Sequence, residues 1–197
     1  LVVASPLFYF FPEKSTIQAM QLIVGLGNIG LEYEKTRHNF GFLAVEELAR
    51  QFNFTNWKEE KKFFGSICTG QIENEKVMLL KPNTLMNLSG KAVGAVAHFY
   101  KISTNDVWIW HDDVDLDFEK VRIKLRGGSG GHNGIKSITS ALGSPEYARL
   151  KFGIKSEMLT KMPTSNFVLG KFSKEEFSQI PAVIKSGVHK FLEQVTC

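Results

Sequence analysis

MQLIVGLGNIG, residues Met20–Gly30, is the stretch on which the fold turns. Its first half is an unbroken apolar run, Met20–Gly25, that glycines end. Such a run reads as a strand buried on both faces. Its second half, Gly25–Gly30, fits GxGxxG, the spacing of a dinucleotide-binding turn. In that unit a helix starts at once, and its N-terminus holds the pyrophosphate. Here Leu31–His38 (LEYEKTRH) is polar and shows no apolar stripe. The acid expected about 20 positions on should end a second strand. Glu46 and Glu47 fall instead inside a helix predicted over Phe42–Phe52. The glycines are therefore read as a tight turn that presents the Asn28 amide to a cleft, and a nicotinamide oxidoreductase is the disfavoured alternative.

Working outward, Phe63–Ile72 and Lys76–Leu80 flank Glu73-Asn74-Glu75 as a hairpin, and Gly90–Tyr100 is a helix. Val107–Trp110 is a buried strand. Lys120–Leu125 and Ala148–Ile154 alternate as half-buried strands, Ile135–Leu142 is a helix, and Glu175–Val195 closes the chain, with Pro181 and Gly187 as its weak points. Strands that alternate with helices predict an α/β single domain, a mixed twisted sheet flanked by helices.

The chain has 197 residues, 43% of them apolar and 22% charged. That suits one soluble domain and excludes disordered, collagen-like and coiled-coil classes. Two cysteines, Cys68 and Cys197, form neither a CxxC pair nor a disulfide framework, so a zinc site is not expected and a reducing cytoplasm is. The apolar stretch Leu1–Phe11 is too short to span a membrane. Residues 1–19 precede the first strand and are read as an extension outside the working domain, residues 20–197.

Four polar clusters are not explained by packing: Thr36-Arg37-His38-Asn39, Asn83–Gly90, His111–Asp115 and Gly127–Gly134. Ligands in α/β sheets favour the carboxyl ends of strands. Asn28 and Asp112 both follow apolar strands, and His38 reaches the same crevice if its loop folds back. A histidine oriented by a carboxylate is a general base, and neutral amides stabilise a developing oxyanion. There is no GxSxG elbow and no evident base for Cys68, so covalent catalysis is not expected. The set suits activated water attacking an ester or amide. Blander readings stand beside it. The acids Asp112, Asp113, Asp115 and Asp117 also suit a solvated turn or a weak cation site, although the EF-hand glycine and glutamate are missing. Asn87 also suits a helix N-cap. Gly127–Gly131 suits either a flexible loop or an anion nest before a helix.

Taken in order, LIVGLGNIG (Leu22–Gly30), YEKTRHNFG (Tyr33–Gly41), KFFG (Lys62–Gly65), LMNLSGKAV (Leu85–Val93), HDDVDL (His111–Leu116), GGSGGHNGIKSI (Gly127–Ile138) and NFVLGKF (Asn166–Phe172) resemble bacterial-type peptidyl-tRNA hydrolase. The resemblance runs from Met20 to about Phe172. It implies cleavage of the ester between a peptide and the 3′ ribose of tRNA. His38 then matches the base and Asp112 the group that orients it. Asn28, Asn87 and Asn133 match residues that bind the peptide and tRNA 3′ end and help position water or carbonyl. Tyr33 and Met86 match cleft-lining positions. Lys124 and Lys151 match contacts to the terminal phosphate. The resemblance also implies a monomer with no metal or organic cofactor; no membrane partner is expected, from the shortness of Leu1–Phe11. Lys151 stands where the family commonly has Arg, so the bidentate fork is lost. Ser129 stands where some relatives have His, and Lys155–Thr164 replaces the usual Gly/Pro-containing turn. A relative that binds RNA without turnover is the second alternative; the presence of Asn28, His38, Asp112 and Asn133 argues against it.

Charge supports a polyanionic partner on one side. The net charge is +4, yet Arg122–Lys161 alone holds eight Lys or Arg against Glu146 and Glu157. Arg122, Lys124 and Arg126 share one face of their strand, as do Arg149 and Lys151 of theirs. A solvated sheet face and a phosphate-binding face are both consistent with that pattern.

Overall fold

Chain order runs β1 (Gln21–Gly25), α1 (Phe40–Gln51), β2 (Lys58–Glu60), β3 (Gly65–Ile72), β4 (Glu75–Pro82), α2 (Ser89–Tyr100), β5 (Val107–Asp117), β6 (Val121–Lys124), α3 (Asn133–Leu142), β7 (Ala148–Lys155), α4 (Thr164–Leu169) and α5 (Lys174–Val195). These come from a computed structural model that describes residues 20–195. The expected extension, residues 1–19, lies outside the described residues.

One seven-stranded sheet carries the fold, in the order β2-β3-β4-β1-β5-β7-β6. The four inner strands are parallel. The β2-β3-β4 meander and the β6–β7 pair are antiparallel. The sheet is mixed, as the hairpin predicts. From β1 the chain moves to β4 on one side and then crosses to β5 on the other. The carboxyl end of β1 is thus the switch point where α/β sheets open a crevice.

Alternation along β1 sends side chains to two cores. Ile23 joins a cluster with α1 and α5, including Phe40, Trp110, Phe152 and Phe191. Leu22 and Val24 join the opposite cluster with α2 and α3, including Val93, Val96, Ile135 and Ile138. Both clusters are closely buried, so a one-residue slip of an inner strand would send each side chain into the opposite core, where its neighbours do not fit it.

The glycines after β1 serve close packing, not a cofactor. α1 begins at Phe40, ten positions past the point a dinucleotide-binding helix would need. A Cβ on Gly41 would lie 2.2 Å from the Trp110 carbonyl oxygen and 2.4 Å from the Leu26 nitrogen. A Cβ on Gly25 would lie 2.4 Å from the Gly41 oxygen. The start of α1 therefore sits directly on the end of β1 and on β5 at Trp110, backbone on backbone. Since backbone has nowhere to move, Gly41→Ala should cost about 3 kcal/mol or more, read as a lowered Tm in thermal denaturation.

Several boundaries differ from the sequence reading. The strand expected to end at Trp110 continues to Asp117, because His111, Asp112 and Asp113 keep pairing with Lys151, Phe152 and Gly153 of β7. The acids are therefore strand residues and not a solvated turn. β2 was not anticipated, since three charged residues carry no apolar pattern. α4 was not anticipated either, being only six residues long after Pro163. α5 runs unbroken through Pro181, and Gly187 within it lets the helix approach the Phe152 ring.

Candidate active site

The cleft is assembled from the end of β1, the middle of β5, the first half of β7, the turn before α1, the glycine-rich turn before α3, and α4. Close seating of α1 on β5 brings His38, just before α1, to Asp112, two residues beyond Trp110. His38 Nδ1 lies 2.9 Å from Asp112 Oδ1 and 3.0 Å from Oδ2. Asp112 is buried.

Asp112 has a second partner that the sequence reading assigned no role. His132 Nε2 lies 3.2 Å from Asp112 Oδ1. His132 caps α3, where its Nδ1 accepts hydrogen bonds from the N–H groups of Gly134 and Ile135. A neutral imidazole has one N–H. His132 must therefore carry its proton on Nε2 and donate it to Asp112. His38 likewise donates from Nδ1, which leaves His38 Nε2 as a lone pair. Of these two rings only His38 can accept a proton, and one carboxylate holds both.

The ring nitrogens of His38 and His132 and the Asp112 carboxylate lie within 4.8 Å of one another, close enough to suggest a metal site. The donors do not fit one. A metal on His132 Nε2 would move the ring proton to Nδ1, against two backbone N–H groups of α3. The trio is wired as donors around a carboxylate.

Electrostatics agree with this wiring. Burial works against charge on His38, but the Asp112 carboxylate outweighs it through its charge and hydrogen bond and raises the His38 pKa. Burial alone would raise Asp112; His38 and His132 together hold it well below the usual carboxylate range. His111 is held neutral, far below the ordinary imidazole value, by burial first and then by neighbouring His132. Burial pushes the Cys68 thiol up to about 12, which rules out a ready thiolate nucleophile there.

Two cavities meet at His38. One, of about 300 Å³, is lined by the His132 side, the glycine-rich turn Gly128–Gly131, Lys124, Arg149 and Lys151. The other, of about 270 Å³, is lined by Asn28, Leu85, Met86, Asn87 and Leu169. Asn133, Ser165 and Val168 border both. The structure thus brings together His38, Asp112, Asn28, Met86, Asn87, Asn133, Lys124 and Lys151. Tyr33 lines neither cavity; its backbone closes the turn from Gly30 to Thr36.

Amide orientations are set by neighbours. Asn39 fixes Asn28 from both sides, accepting from its N–H at 2.8 Å and donating to its carbonyl at 2.9 Å. Asn28 Oδ1 accepts the Met86 N–H at 2.8 Å, so its NH₂ is left to donate. Asn87 is not an N-cap: it sits in the 3₁₀ turn Met86–Leu88, and Leu88 precedes α2. Its exposed amide borders the second cavity.

The basic side is less uniform than the sequence suggests. Arg149 is buried, not solvated, and its guanidinium donates to the carbonyls of Gly127 and Gly128. It anchors the glycine-rich turn. Lys151 pairs with Asp113, while Lys124 stays exposed at the cleft edge. Arg37 was also passed over. It is buried, pairs with Glu176 at 2.8 Å, and lies over the Phe167 ring at 4.4 Å. It ties the turn bearing His38 to α4 and α5. Asn39, Arg37 and His132 all stood in the polar clusters, and their signal was polarity directly before a helix.

Among the described residues no helix is long and apolar enough to cross a membrane. A family model described as peptidyl-tRNA hydrolase matches residues 22–196. The peptidyl-tRNA hydrolase of Prochlorococcus marinus (strain NATL2A) is 44% identical over 181 residues, covering 90% of this chain and 89% of that protein. That of Bacillus cytotoxicus is 44% identical over 170 residues, covering 86% and 90%. The crystal structure of Acinetobacter baumannii peptidyl-tRNA hydrolase superimposes with a TM-score of 0.78 at 40% identity, covering 85% of this chain and 84% of that one.

Proposed function

The chain belongs to the peptidyl-tRNA hydrolase family, and from that premise we propose that it hydrolyses the ester joining a peptide to the 3′ ribose of tRNA, with His38 as the base. The observation that carries this reading is the His38–Asp112 contact at the junction of the two cavities. Water held at His38 Nε2 gives up a proton as its oxygen attacks the ester carbonyl. The resulting imidazolium is stabilised by Asp112. Collapse of the tetrahedral intermediate expels the ribose oxygen, which takes the proton back from His38. The products are a free peptide acid and tRNA with its 3′-hydroxyl restored. Because the leaving group is an alcohol, a positioned base and amide donors suffice without a covalent intermediate.

The basic cavity takes the RNA end. Lys124 offers an unpaired point charge to phosphate, and Lys151 a second one shared with Asp113. The other cavity takes the peptide end. The Asn28 NH₂ group and the amides of Asn87 and Asn133 suit backbone carbonyls and N–H groups, which every peptide offers whatever its sequence. Met86 supplies an apolar wall, and Tyr33 supports the turn behind Asn28. We place the catalytic unit at residues 20–197, working as a cytoplasmic monomer. The sparse cysteines support the compartment.

The test is release of N-acetylated amino acid and free tRNA from N-acetyl-aminoacyl-tRNA by the purified protein. Salt-sensitive tRNA binding without release would instead favour an RNA-binding protein that has lost activity. Lys124→Ala should raise KM about fivefold and flatten the dependence of binding on salt by about one unit of slope, with kcat within twofold of wild type. A collapse of kcat at unchanged KM would remove the phosphate role from Lys124.

A further inference from the structure

The peptide-side cavity does not end in polar surface. Leu85 lines it and is 53% exposed, and Leu88, three residues on, is 51% exposed. Next to Leu88, in the first turn of α2, the Lys91 ammonium lies 3.8 Å from the Phe64 ring centroid. Beyond that the Lys62 ammonium lies 4.4 Å from the ring of Phe99, which contacts Tyr100 edge-on. Five of the ten large apolar side chains exposed among the described residues fall on this one strip: Leu85, Leu88, Phe64, Phe99 and Tyr100. Leu88, Lys91 and Phe99 recur at helical spacing along one side of α2, and exposed apolar side chains gathered on one side in this way mark a site of interaction.

Phe64 is held on the surface at a conformational cost. Its φ is 51°, in the left-handed region that bulky residues avoid. Its carbonyl accepts the Asn83 N–H at 2.7 Å, which fastens it to the segment leading into Leu85 and Met86. Phe63 beside it is buried, whereas Phe64 is exposed.

We propose that this strip is a subsite for the part of the peptide distant from the ester, and that it selects apolar and acidic side chains there. The proposal rests on the functional reading above, which sends RNA into the cavity bearing Lys124 and leaves the Leu85 side as the exit for the peptide. The rings and leucines offer apolar contact. The lysines lie over ring faces and keep ammonium donors free for carboxylates. RNA is the less suited occupant, because stacking of bases needs open ring faces and lysines cover Phe64 and Phe99. A single acylated residue fills only the cavity at His38. Longer peptides gain the strip as binding shared equally by ground state and transition state, which lowers KM and leaves kcat alone.

The experiment compares substrates that share one tRNA: an N-acetylated single amino acid, and N-acetylated pentapeptides carrying either glutamate or lysine at the residues farthest from the ester. Phe64→Gly removes the ring while accepting the same backbone without strain. Lys91→Glu places an acid in the first turn of α2, where helices favour one. Wild type should show a lower KM for the glutamate pentapeptide than for the single residue. Phe64→Gly should raise the pentapeptide KM about fivefold and leave the single-residue KM unchanged. Lys91→Glu should turn the preference from glutamate to lysine. Equal effects on both lengths would mean that the strip touches RNA and would overturn the proposal. So would no effect on either, with the single residue still hydrolysed, and the functional reading would then stand alone. Wild-type protein that releases neither substrate would sink both.

Discussion

His38→Ala should lower kcat for N-acetyl-aminoacyl-tRNA by about 10³-fold with little change in KM, the usual scale for loss of a positioned general base. The expectation follows from proton accounting at Asp112. Two imidazoles converge on that carboxylate. One of them, His132, has its remaining nitrogen committed to the N-terminus of α3. It therefore has no lone pair to offer water. Removing His38 takes away the one imidazole on the Asp112 carboxylate that has a free lone pair, while the cavities that hold RNA and peptide keep their walls. His111, also in the cavity wall, is buried and held far below the ordinary imidazole pKa, which makes it a poor base. Single-turnover kinetics would separate the outcomes. A variant that still hydrolyses the ester at more than about a tenth of the wild-type rate would show that another group activates water.

Asp112→Asn should lower kcat by about 10²- to 10³-fold and also move the acid limb of the pH–rate profile. The direction is fixed by which form of His38 works. The neutral ring is the base, so activity falls as pH drops through the His38 pKa. Asp112 raises that pKa above the ordinary imidazole value of 6.5, against the effect of burial. In wild type the acid limb of kcat/KM therefore has its midpoint above 6.5. With the carboxylate gone, burial is left to act alone and the limb moves to lower pH. The plateau falls for a different reason: an amide NH₂ at the carboxylate position faces His38 Nδ1 and favours the tautomer with its proton on Nε2, which cannot accept one from water. A variant with reduced rate and an unmoved acid limb would argue that Asp112 only packs against the ring.

Much of this architecture is legible in the chain. Apolar runs and alternation locate most strands, and polarity after Gly30 alone removes the dinucleotide reading. Position along the sheet is harder. Polarity at His111–Asp113 suggests the end of a strand, yet the ladder continues because those side chains find partners: Asp112 in two histidines and Asp113 in Lys151. Local sequence cannot announce a partner 74 positions away. For the same reason Arg149 looks like one more solvated cation. Its burial depends on two carbonyls of a turn that precedes it by more than 20 residues. His132 was visible as a residue but not as a role, since its tautomer follows from the helix that it caps.

The Arg37 tether bears on when activity can appear. His38 lies in the first quarter of the chain and is made early. Arg37 beside it is fastened to Glu176, 139 positions later, and its backbone N–H bonds to the Gly170 carbonyl. Asp112 arrives in between. Synthesis runs from the N-terminus, and contacts of such long sequence separation close late because loop closure precedes any gain from them. A growing chain therefore carries its base before it can aim it, and α4, which walls both cavities, comes later still. For an enzyme whose own nascent form is a peptide esterified to tRNA, this ordering keeps the growing chain from becoming its own target: the cleft cannot be aimed until Glu176 has been made.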